Sequence, residues 1–224
     1  VVLLIAVFIP GIGLELNGAH RWLNLGFTLL QPVEFFKFAL VIFFASWMIK
    51  HQRLGAFLLF IGLPALLIIL QPDLGSLLVT QWIAFGMYFL AKGSIRKLLP
   101  FVGLGVLLLV IAILLSPYRL QRLTTYLDPE KDPYGAGFHV RQVTLALGNG
   151  GLFGQGIGNS RQKYHYIPEA SSDSIFAVVA EEIGFIGGVF LVALFGYFIY
   201  LLYQLTGQTE PDSFARLVGY GILL

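Results

Sequence analysis

Hydrophobic and polar residues alternate along this chain in long blocks. A helix needs roughly 20 apolar residues to cross about 30 Å of hydrocarbon. Apolar blocks near this length occupy Leu29–Ile49, Gly55–Leu70, Leu74–Ala91, Leu98–Leu115 and Ser174–Tyr203. Val1–Ile12 and Phe214–Leu224 are also apolar, and they predict the end of one span and the start of another. Because backbone groups inside lipid must pair within their own segment, we expect every span to be helical.

The polar stretches between these blocks predict loops. Leu14–Phe27 and Gln71–Asp73 are short, whereas residues 117–173 form one large loop. Long loops between fixed elements often carry function. We therefore predict a single integral membrane domain over residues 1–224, with its chemistry in the large loop. Both ends of the chain are apolar, so we expect it to be an internal part of a longer membrane protein.

Positive charge in the short loops predicts the orientation. Lys50 and Arg53 follow one span, and Lys92, Arg96 and Lys97 follow another, two spans later. Short cytoplasmic loops are enriched in Lys and Arg, so both clusters are predicted to be cytoplasmic. Counting spans then puts Leu14–Phe27, Gln71–Asp73 and the large loop together on the outer face. The large loop is itself basic in places, but long loops are translocated largely regardless of charge.

Composition agrees with a membrane protein and excludes several other classes. Charged residues make up 12% of the 224, about half of the roughly 25% found in soluble domains. Mean hydropathy is +0.82. The formal net charge of +2 is too small to indicate a nucleic-acid partner. The sequence has no cysteine and no zinc-hydrolase HExxH motif, and His139 and His165 have no partner at metal-ligand spacing, so it predicts no metal-binding residues. Without a Gly-x-Ser-x-Gly elbow it does not support a serine hydrolase either.

Charged residues at the start of the Leu29–Ile49 span are the first candidate site. Glu34 and Lys37 are three residues apart, so they share one helix face and can pair. Charges this close to hydrocarbon usually face a protein interior or a water-filled cavity. Two compatible interpretations follow: a structural ion pair between helices, or a substrate contact in which Lys37 binds phosphate.

Three further carboxylates lie at or within the spans. Asp73 follows Pro72 at the start of a predicted helix, where its charge suits the helix dipole, and we predict a capping role. Glu181 and Glu182 lie inside the last long apolar block and need partners or water there. For one of these two we predict an interhelical anchor.

The large loop opens with cations and a proline-flanked acidic segment. Arg119 and Arg122 are placed where anionic headgroups or a diphosphate could bind, although simple snorkelling to the interface explains them too. Asp128 and Asp132 each precede a proline, a pattern that often only opens a turn. Asp132 is followed by Pro-Tyr-Gly-Ala-Gly, which would hold its carboxylate on a rigid support. Spacing alone leaves both readings open for Asp132.

The end of the loop is rich in glycine and then in cations and aromatic rings. Gly148–Gly158 could bring backbone amides close to an anion, or form a packed hairpin of short helices. Arg161 and Lys163 are candidate phosphate or sugar ligands. Tyr164 and Tyr166 could stack on sugars or belong to an interfacial aromatic belt.

Several motifs together resemble one family. They are NGAHRWLNLG, QPVEFFK, QPDLGS, DPYGAGFHVRQ and LGNGGLFGQGIGNSRQKYHYIPEASSDSIFAVVAEEIGFIG. Their sequence and order are similar to those of the SEDS proteins, the FtsW, RodA and SpoVE group of bacterial wall synthesis. GNSRQKYHYIPEASSD resembles the FtsW and SpoVE branch more than RodA. The resemblance covers nearly the whole chain.

The resemblance implies an all-α polytopic fold, part of a ten-helix bundle with a large extracytoplasmic loop. The family's catalytic Asp maps onto Asp132, and the Glu and Lys of its QPxExxK motif map onto Glu34 and Lys37. The family's first two helices and its later Pro-Ile/Leu-Ser-Tyr-Gly-Gly motif have no counterpart in the chain. We therefore expect the chain alone to be inactive.

The activity implied is polymerisation of lipid II, the lipid-linked disaccharide-pentapeptide, with Asp132 as general base. Lys37, Arg21, Arg119 and Arg122, or a divalent ion such as Mg²⁺ or Mn²⁺, would stabilise the leaving diphosphate. The implied location is the bacterial inner membrane, and the implied partners are a class B penicillin-binding transpeptidase and divisome or elongasome proteins. Two other classes stay open: a lipid II flippase, and a scaffold whose loop only docks a partner.

Overall fold

The computed structural model describes residues 1–16, 19–24, 26, 28–51, 53–116, 120, 124–125, 136–160 and 174–224. Side chains are described for these residues except 15, 16, 19, 136 and 139. Within these ranges the chain is mostly helical. The helices are α1 (Val2–Ala6), α2 (Pro32–Lys50), α3 (Leu54–Leu70), α4 (Leu74–Leu90), α5 (Ile95–Leu114), α6 (Ala136–Gly150), α7 (Ile175–Gly207) and α8 (Phe214–Leu223).

The five long apolar blocks and the C-terminal one are confirmed as helices. Among the described residues, α2, α5 and α7 are long and apolar enough to cross a membrane, and α3 and α4 are shorter apolar helices. Large apolar side chains such as Leu107 on α5 and Phe190 on α7 are exposed, as expected of helices that face lipid. The chain is therefore a membrane protein of the all-α polytopic class. The side of the membrane on which each loop lies stays a prediction.

The short polar stretch near the N-terminus is not the loop that its composition predicted. A three-stranded antiparallel sheet is formed there by β1 (Gly13–Leu16), β2 (Ala19–Asn24) and β3 (Leu29–Leu30), in that order. Leu16 pairs with Ala19, so only two residues connect β1 and β2. These two are Asn17 and Gly18, and Asn-Gly is the strongest short hairpin signal in a sequence.

The sheet shortens both neighbouring apolar elements. Of the predicted span Val1–Ile12, only Val2–Ala6 is helical, and the backbone enters β1 at Gly13. Leu29 and Leu30 belong to β3, so α2 begins at Pro32 rather than at Leu29. Proline suits the first turn of a helix because its missing N–H would have no partner there.

A further helix lies inside the segment predicted as a large loop. α6 occupies Ala136–Gly150, and its residues Val143 and Ala146 pack against Ala177 and Val178 of α7. These two positions are three residues apart and lie on one face of the helix. The pattern was missed because the surrounding sequence is polar and rich in glycine.

The residue contacts divide the chain into two compact units, residues 1–101 with 199–224, and residues 102–198. In the first unit, aromatic rings join three helices. The ring of Phe57 lies 5.2 Å from Phe44 and 4.5 Å from Tyr88, measured between centroids. In the second unit, the core is the α6–α7 contact just described. A single domain over residues 1–224 stays a prediction.

Candidate functional site

The first turns of α2 carry the predicted ion pair. The Lys37 ammonium lies 2.9 Å from a Glu34 carboxylate oxygen, and the side chains are 23% and 54% exposed respectively. Each turn of the helix brings residues three apart onto one face, which is why the two groups meet. An ammonium has three N–H donors, so this contact leaves Lys37 able to bind a second anionic group.

Arg21 of β2 holds the turn between α3 and α4. Its Nε donates to the Gln71 carbonyl at 3.5 Å, and its Nη2 donates to the Pro72 carbonyl. The same Nε lies 3.9 Å from Asp73 Oδ2. We call these four residues the Arg21 network. The two short polar stretches that were predicted to share one side of the membrane are thus in contact.

Asp73 has the capping role predicted for it. Its carboxylate accepts hydrogen bonds from the Ser76 backbone N–H at 3.1 Å and from the Ser76 hydroxyl at 2.7 Å. The first of these bonds satisfies a donor that the start of α4 would otherwise leave without a helical partner. Asp73 is buried, so the cap and the contact with Arg21 together stabilise its charge.

The ion pair and the Arg21 network lie at the same end of the first unit. Val33, next to Glu34, packs in one buried cluster with Leu4 and with Ile68 at the end of α3. The buried Gln71 amide donates to the Leu4 carbonyl at 2.9 Å. The N-terminus of α2, which carries Glu34 and Lys37, is therefore held against the C-terminus of α3, next to the turn that contains Asp73.

Glu181 lies in the second unit, where the sequence predicted an anchor. It is 1% exposed, and its Oε2 accepts a hydrogen bond from the Ser160 hydroxyl at 2.5 Å. Ser160 follows the glycine-rich segment Gly148–Gly158, so this bond joins that segment to α7. Of the glycine-rich segment, Gly148–Gly150 end α6 and residues 151–158 form turns, so this described stretch is not a hairpin of two short helices.

The remaining predicted site residues lie outside the described part of the chain. These are Asp132, Arg119, Arg122, Arg161 and Lys163. Their assignment as catalytic or substrate-binding residues stays a prediction, as does the substrate role of Glu34, Lys37 and Arg21. Among the described residues, no group of three or more His, Asp or Glu side chains is placed to hold a metal ion.

Comparison with known proteins gives a consistent result along the chain. A family model described as "Cell cycle protein", covering FtsW, RodA and SpoVE, matches residues 1–224. A probable peptidoglycan glycosyltransferase FtsW of Pasteurella multocida (strain Pm70) is 44% identical over 206 residues, or 88% of this chain and 52% of the relative. Stage V sporulation protein E of Bacillus subtilis (strain 168) is 38% identical over 230 residues, or 99% of this chain and 62% of the relative.

Two solved structures are similar in fold. One, titled "Structural coordination of polymerization and crosslinking by a peptidoglycan synthase complex", matches 99% of this chain and 63% of its own chain with a TM-score of 0.74 and 29% identity. Thermus thermophilus rod shape determining protein RodA matches 99% of this chain and 58% of its own with a TM-score of 0.64 and 29% identity. The chain thus spans about half to two thirds of the length of these proteins. It belongs to the FtsW/RodA/SpoVE family.

Proposed function

We propose that the full-length protein is a peptidoglycan glycosyltransferase that polymerises lipid II into glycan strands during division or wall growth. The observation that carries the proposal is the 44% identity, over 88% of this chain, to a relative named as such an enzyme. The cations Arg21 and Lys37 at one end of the first unit support it, because a lipid-linked diphosphate needs cations near the membrane surface.

Asp132 is the proposed general base. The 4-hydroxyl of the acceptor sugar loses its proton to this carboxylate as its oxygen attacks the anomeric carbon of the donor. The new C–O bond forms as the bond to the donor's phosphate breaks, and undecaprenyl diphosphate leaves with that electron pair. One such displacement inverts the anomeric centre. General-base catalysis of this kind typically contributes about 10²–10⁴-fold in rate.

The leaving diphosphate needs positive charge. Lys37 and Arg21 are the described candidates, and both have N–H donors beyond those used in the ion pair and the Arg21 network. Arg119 and Arg122 would add charge beside them, and Arg161 and Lys163 would bind sugar or phosphate. Mg²⁺ or Mn²⁺ would supply the same charge, but no metal-binding group is found in the described ranges.

The proposed setting is the bacterial inner membrane, with several spans and the large loop outside the cytoplasm. The proposed partner is a class B penicillin-binding transpeptidase, together with other proteins of the divisome or elongasome. Support comes from the similar structure whose title names a peptidoglycan synthase complex for polymerization and crosslinking. Similarity to relatives named FtsW favours the divisome.

The test uses the full-length protein with purified lipid II in detergent. Asp132→Ala and Asp132→Asn are expected to abolish glycan strands, because neither side chain can take the proton. Asp128→Asn is the matched control, since Asp128 also precedes a proline in the same segment. It is expected to polymerise normally. Normal strand formation by both Asp132 variants would refute the general base.

The same protein in liposomes separates the enzyme from the transporter. Translocation of labelled lipid II without strand formation, in wild type and variants alike, would support a flippase instead. Partner binding with no polymerisation in any preparation would support a scaffold.

A further inference from the structure

α7 contains a break whose free backbone groups are hydrogen-bonded by another segment of the chain. At Gly184 the backbone has φ 73° and ψ −175°, far from helical values. In a continuous helix, the N–H groups of Phe185 and Ile186 would donate to the carbonyls of Glu181 and Glu182. The break leaves two donors and two acceptors without these helical partners.

The turn after α6 supplies partners for all four groups. Phe185 N–H donates to the Gly151 carbonyl at 2.8 Å, and Ile186 N–H donates to the Leu152 carbonyl at 3.2 Å. In return, the Gln155 and Gly156 N–H groups donate to the Glu181 and Glu182 carbonyls, both at 2.9 Å. Residues 151–156 are thus inserted into the hydrogen-bond ladder of α7. We call this arrangement the α6–α7 joint.

Glycine is required on both sides of the joint. A Cβ on Gly150 would lie 2.2 Å from the Ala180 carbonyl oxygen, and one on Gly154 would lie 2.2 Å from the Glu182 carbonyl oxygen. A Cβ on Gly184 would lie 2.3 Å from the Gly154 nitrogen. The neighbouring atoms are backbone and cannot rotate away. The two backbones are therefore too close for a side chain at any of these three positions.

The Glu181 side chain adds a side-chain hydrogen bond between α7 and the segment after α6. Its buried carboxyl group accepts from Ser160, four residues beyond the last backbone bond at Gly156. Burying a carboxyl group in an apolar span is unfavourable unless the group is hydrogen-bonded, and the Ser160 hydroxyl provides such a bond. The apolar contact of Val143 and Ala146 with Ala177 and Val178 lies next along α6. Backbone, side chain and core thus fix α6 on α7.

We propose that Glu181 is a positioning residue for glycosyl transfer, acting through the α6–α7 joint. This inference rests on the proposed function. α6 begins at Ala136, four residues after the proposed base Asp132, so the chain leads directly from that base into the helix that the joint holds. The joint holds the C-terminal end of α6 and the Val143 and Ala146 contacts hold its middle, so α7 sets the orientation of the helix that follows the base. Small displacements of a catalytic group are costly, since about 1 Å can reduce the rate about 10²-fold.

The test measures polymerisation kinetics and amide hydrogen exchange on the full-length protein. The variants are Glu181→Ala, Glu181→Gln, Ser160→Ala and the double variant Ser160→Ala/Glu181→Ala. Thr144→Val is the matched control, because the Thr144 hydroxyl donates within α6, to the Val140 carbonyl at 2.9 Å. It removes a hydroxyl from the same unit without touching the joint.

We expect Glu181→Ala and Ser160→Ala to lower kcat by about 10- to 100-fold with KM nearly unchanged, because the base is displaced while substrate binding is retained. Glu181→Gln keeps an oxygen that can accept from Ser160 and should restore most of kcat. The double variant should be no slower than Glu181→Ala, since both remove the same bond. Hydrogen exchange of residues 151–156 should rise in Ser160→Ala and not in Thr144→Val.

Several results would overturn the inference. A raised KM with normal kcat would make Glu181 a substrate ligand, and an equal loss in Glu181→Gln would show that its charge is what matters. If the losses of kcat in the two single variants add up in the double variant, Glu181 does not act through Ser160. If Glu181→Ala does not fold, Ser160→Ala alone decides, because it leaves the carboxyl group in place. If Glu181→Ala and Ser160→Ala keep a normal kcat while the Asp132 variants are inactive, only the positioning role is refuted. If the Asp132 variants still polymerise lipid II, the proposed base is refuted.

Discussion

Arg21 Nε and Asp73 Oδ2 lie 3.9 Å apart and join the β-hairpin to the turn between α3 and α4. The same guanidinium donates to the carbonyls of Gln71 and Pro72. Arginine was expected here as a diphosphate ligand, and part of its hydrogen-bonding capacity is used inside the protein. Any contact with substrate must use its remaining donors, because a guanidinium has five N–H groups.

Arg21→Ala should destabilise the protein, because two backbone carbonyls and a buried carboxylate lose a partner. Hydrogen bonds to charged groups contribute about 1.5–3 kcal/mol, and the arginine is 34% exposed, so we expect a loss of about 1–2 kcal/mol. Arg21→Lys should restore little, because an ammonium cannot reproduce the planar fork. Thermal unfolding in detergent gives the measurement. Arg53→Ala is the control, since Arg53 is exposed just before α3, and an equal change in both variants would refute the network.

Asp73→Ala should cost about 1–2 kcal/mol through the loss of the cap on α4. Asp73→Asn keeps an oxygen for the Ser76 N–H and should cost less, with the remainder reflecting the contact with Arg21. Combining Asp73→Asn with Arg21→Ala should cost less than the sum of the two single losses. Strict additivity of the unfolding free energies would show that the two side chains do not interact.

The helices that cross apolar blocks were predictable because the signal is local. The predicted break at Gln71–Asp73 separates α3 from α4 in the structure. The span predicted at Gly55–Leu70 is observed as the helix Leu54–Leu70. The β-hairpin was missed because Leu14–Phe27 was interpreted by polarity rather than by its Asn-Gly turn signal. That signal was present in the sequence and could have identified β1 and β2.

The α6–α7 joint could not have been predicted in the same way. Gly184 lies in an apolar run that reads as one uninterrupted helix, and glycine alone is tolerated in helices. The break is stable because the backbone groups that it frees are hydrogen-bonded by residues 151–156, about thirty residues earlier in the chain. Local pattern carries no information on such distant pairing. It did indicate that Glu181 needs a partner, but not that the partner is Ser160.

Exchanging the charges of Glu34 and Lys37 separates the two interpretations of this pair. Each single reversal, Glu34→Lys or Lys37→Glu, should impair lipid II polymerisation by the full-length protein. The double exchange rebuilds an ion pair at the same spacing, so a purely structural pair predicts restored activity. We expect no restoration, because the cation is then moved by one helical turn from the proposed diphosphate contact. Polymerisation kinetics at varied lipid II concentration provide the measurement.

Stability should respond differently from activity in these three variants. An exposed pair three residues apart contributes only about 0.2–0.5 kcal/mol, and Glu34 is 54% exposed. All three variants are therefore expected to unfold within a few degrees of wild type. A double exchange that recovers full activity would assign Lys37 to structure and remove it from the substrate site.

Gly184→Ala should be strongly destabilising, because a positive φ and a close contact coincide. At φ 73° and ψ −175° the backbone is in a region that essentially only glycine occupies, which costs another residue roughly 1–3 kcal/mol, and the new Cβ would lie 2.3 Å from the Gly154 nitrogen. The contact adds to the strain, so we expect a loss of more than about 2 kcal/mol. Gly196→Ala on the same helix is the matched control, since a Cβ there meets nothing within 4 Å.

The control should be neutral or slightly stabilising, because alanine is the better helix former by about 0.5–1 kcal/mol. Thermal unfolding of the full-length protein in detergent compares the two variants directly. Hydrogen exchange localises the effect, since Gly184→Ala should expose the amides of Phe185, Ile186, Gln155 and Gly156 together. These four donate across the joint and lose their partners in one step. If the two variants melt alike, α7 is continuous at Gly184 and residues 151–156 are not part of its ladder.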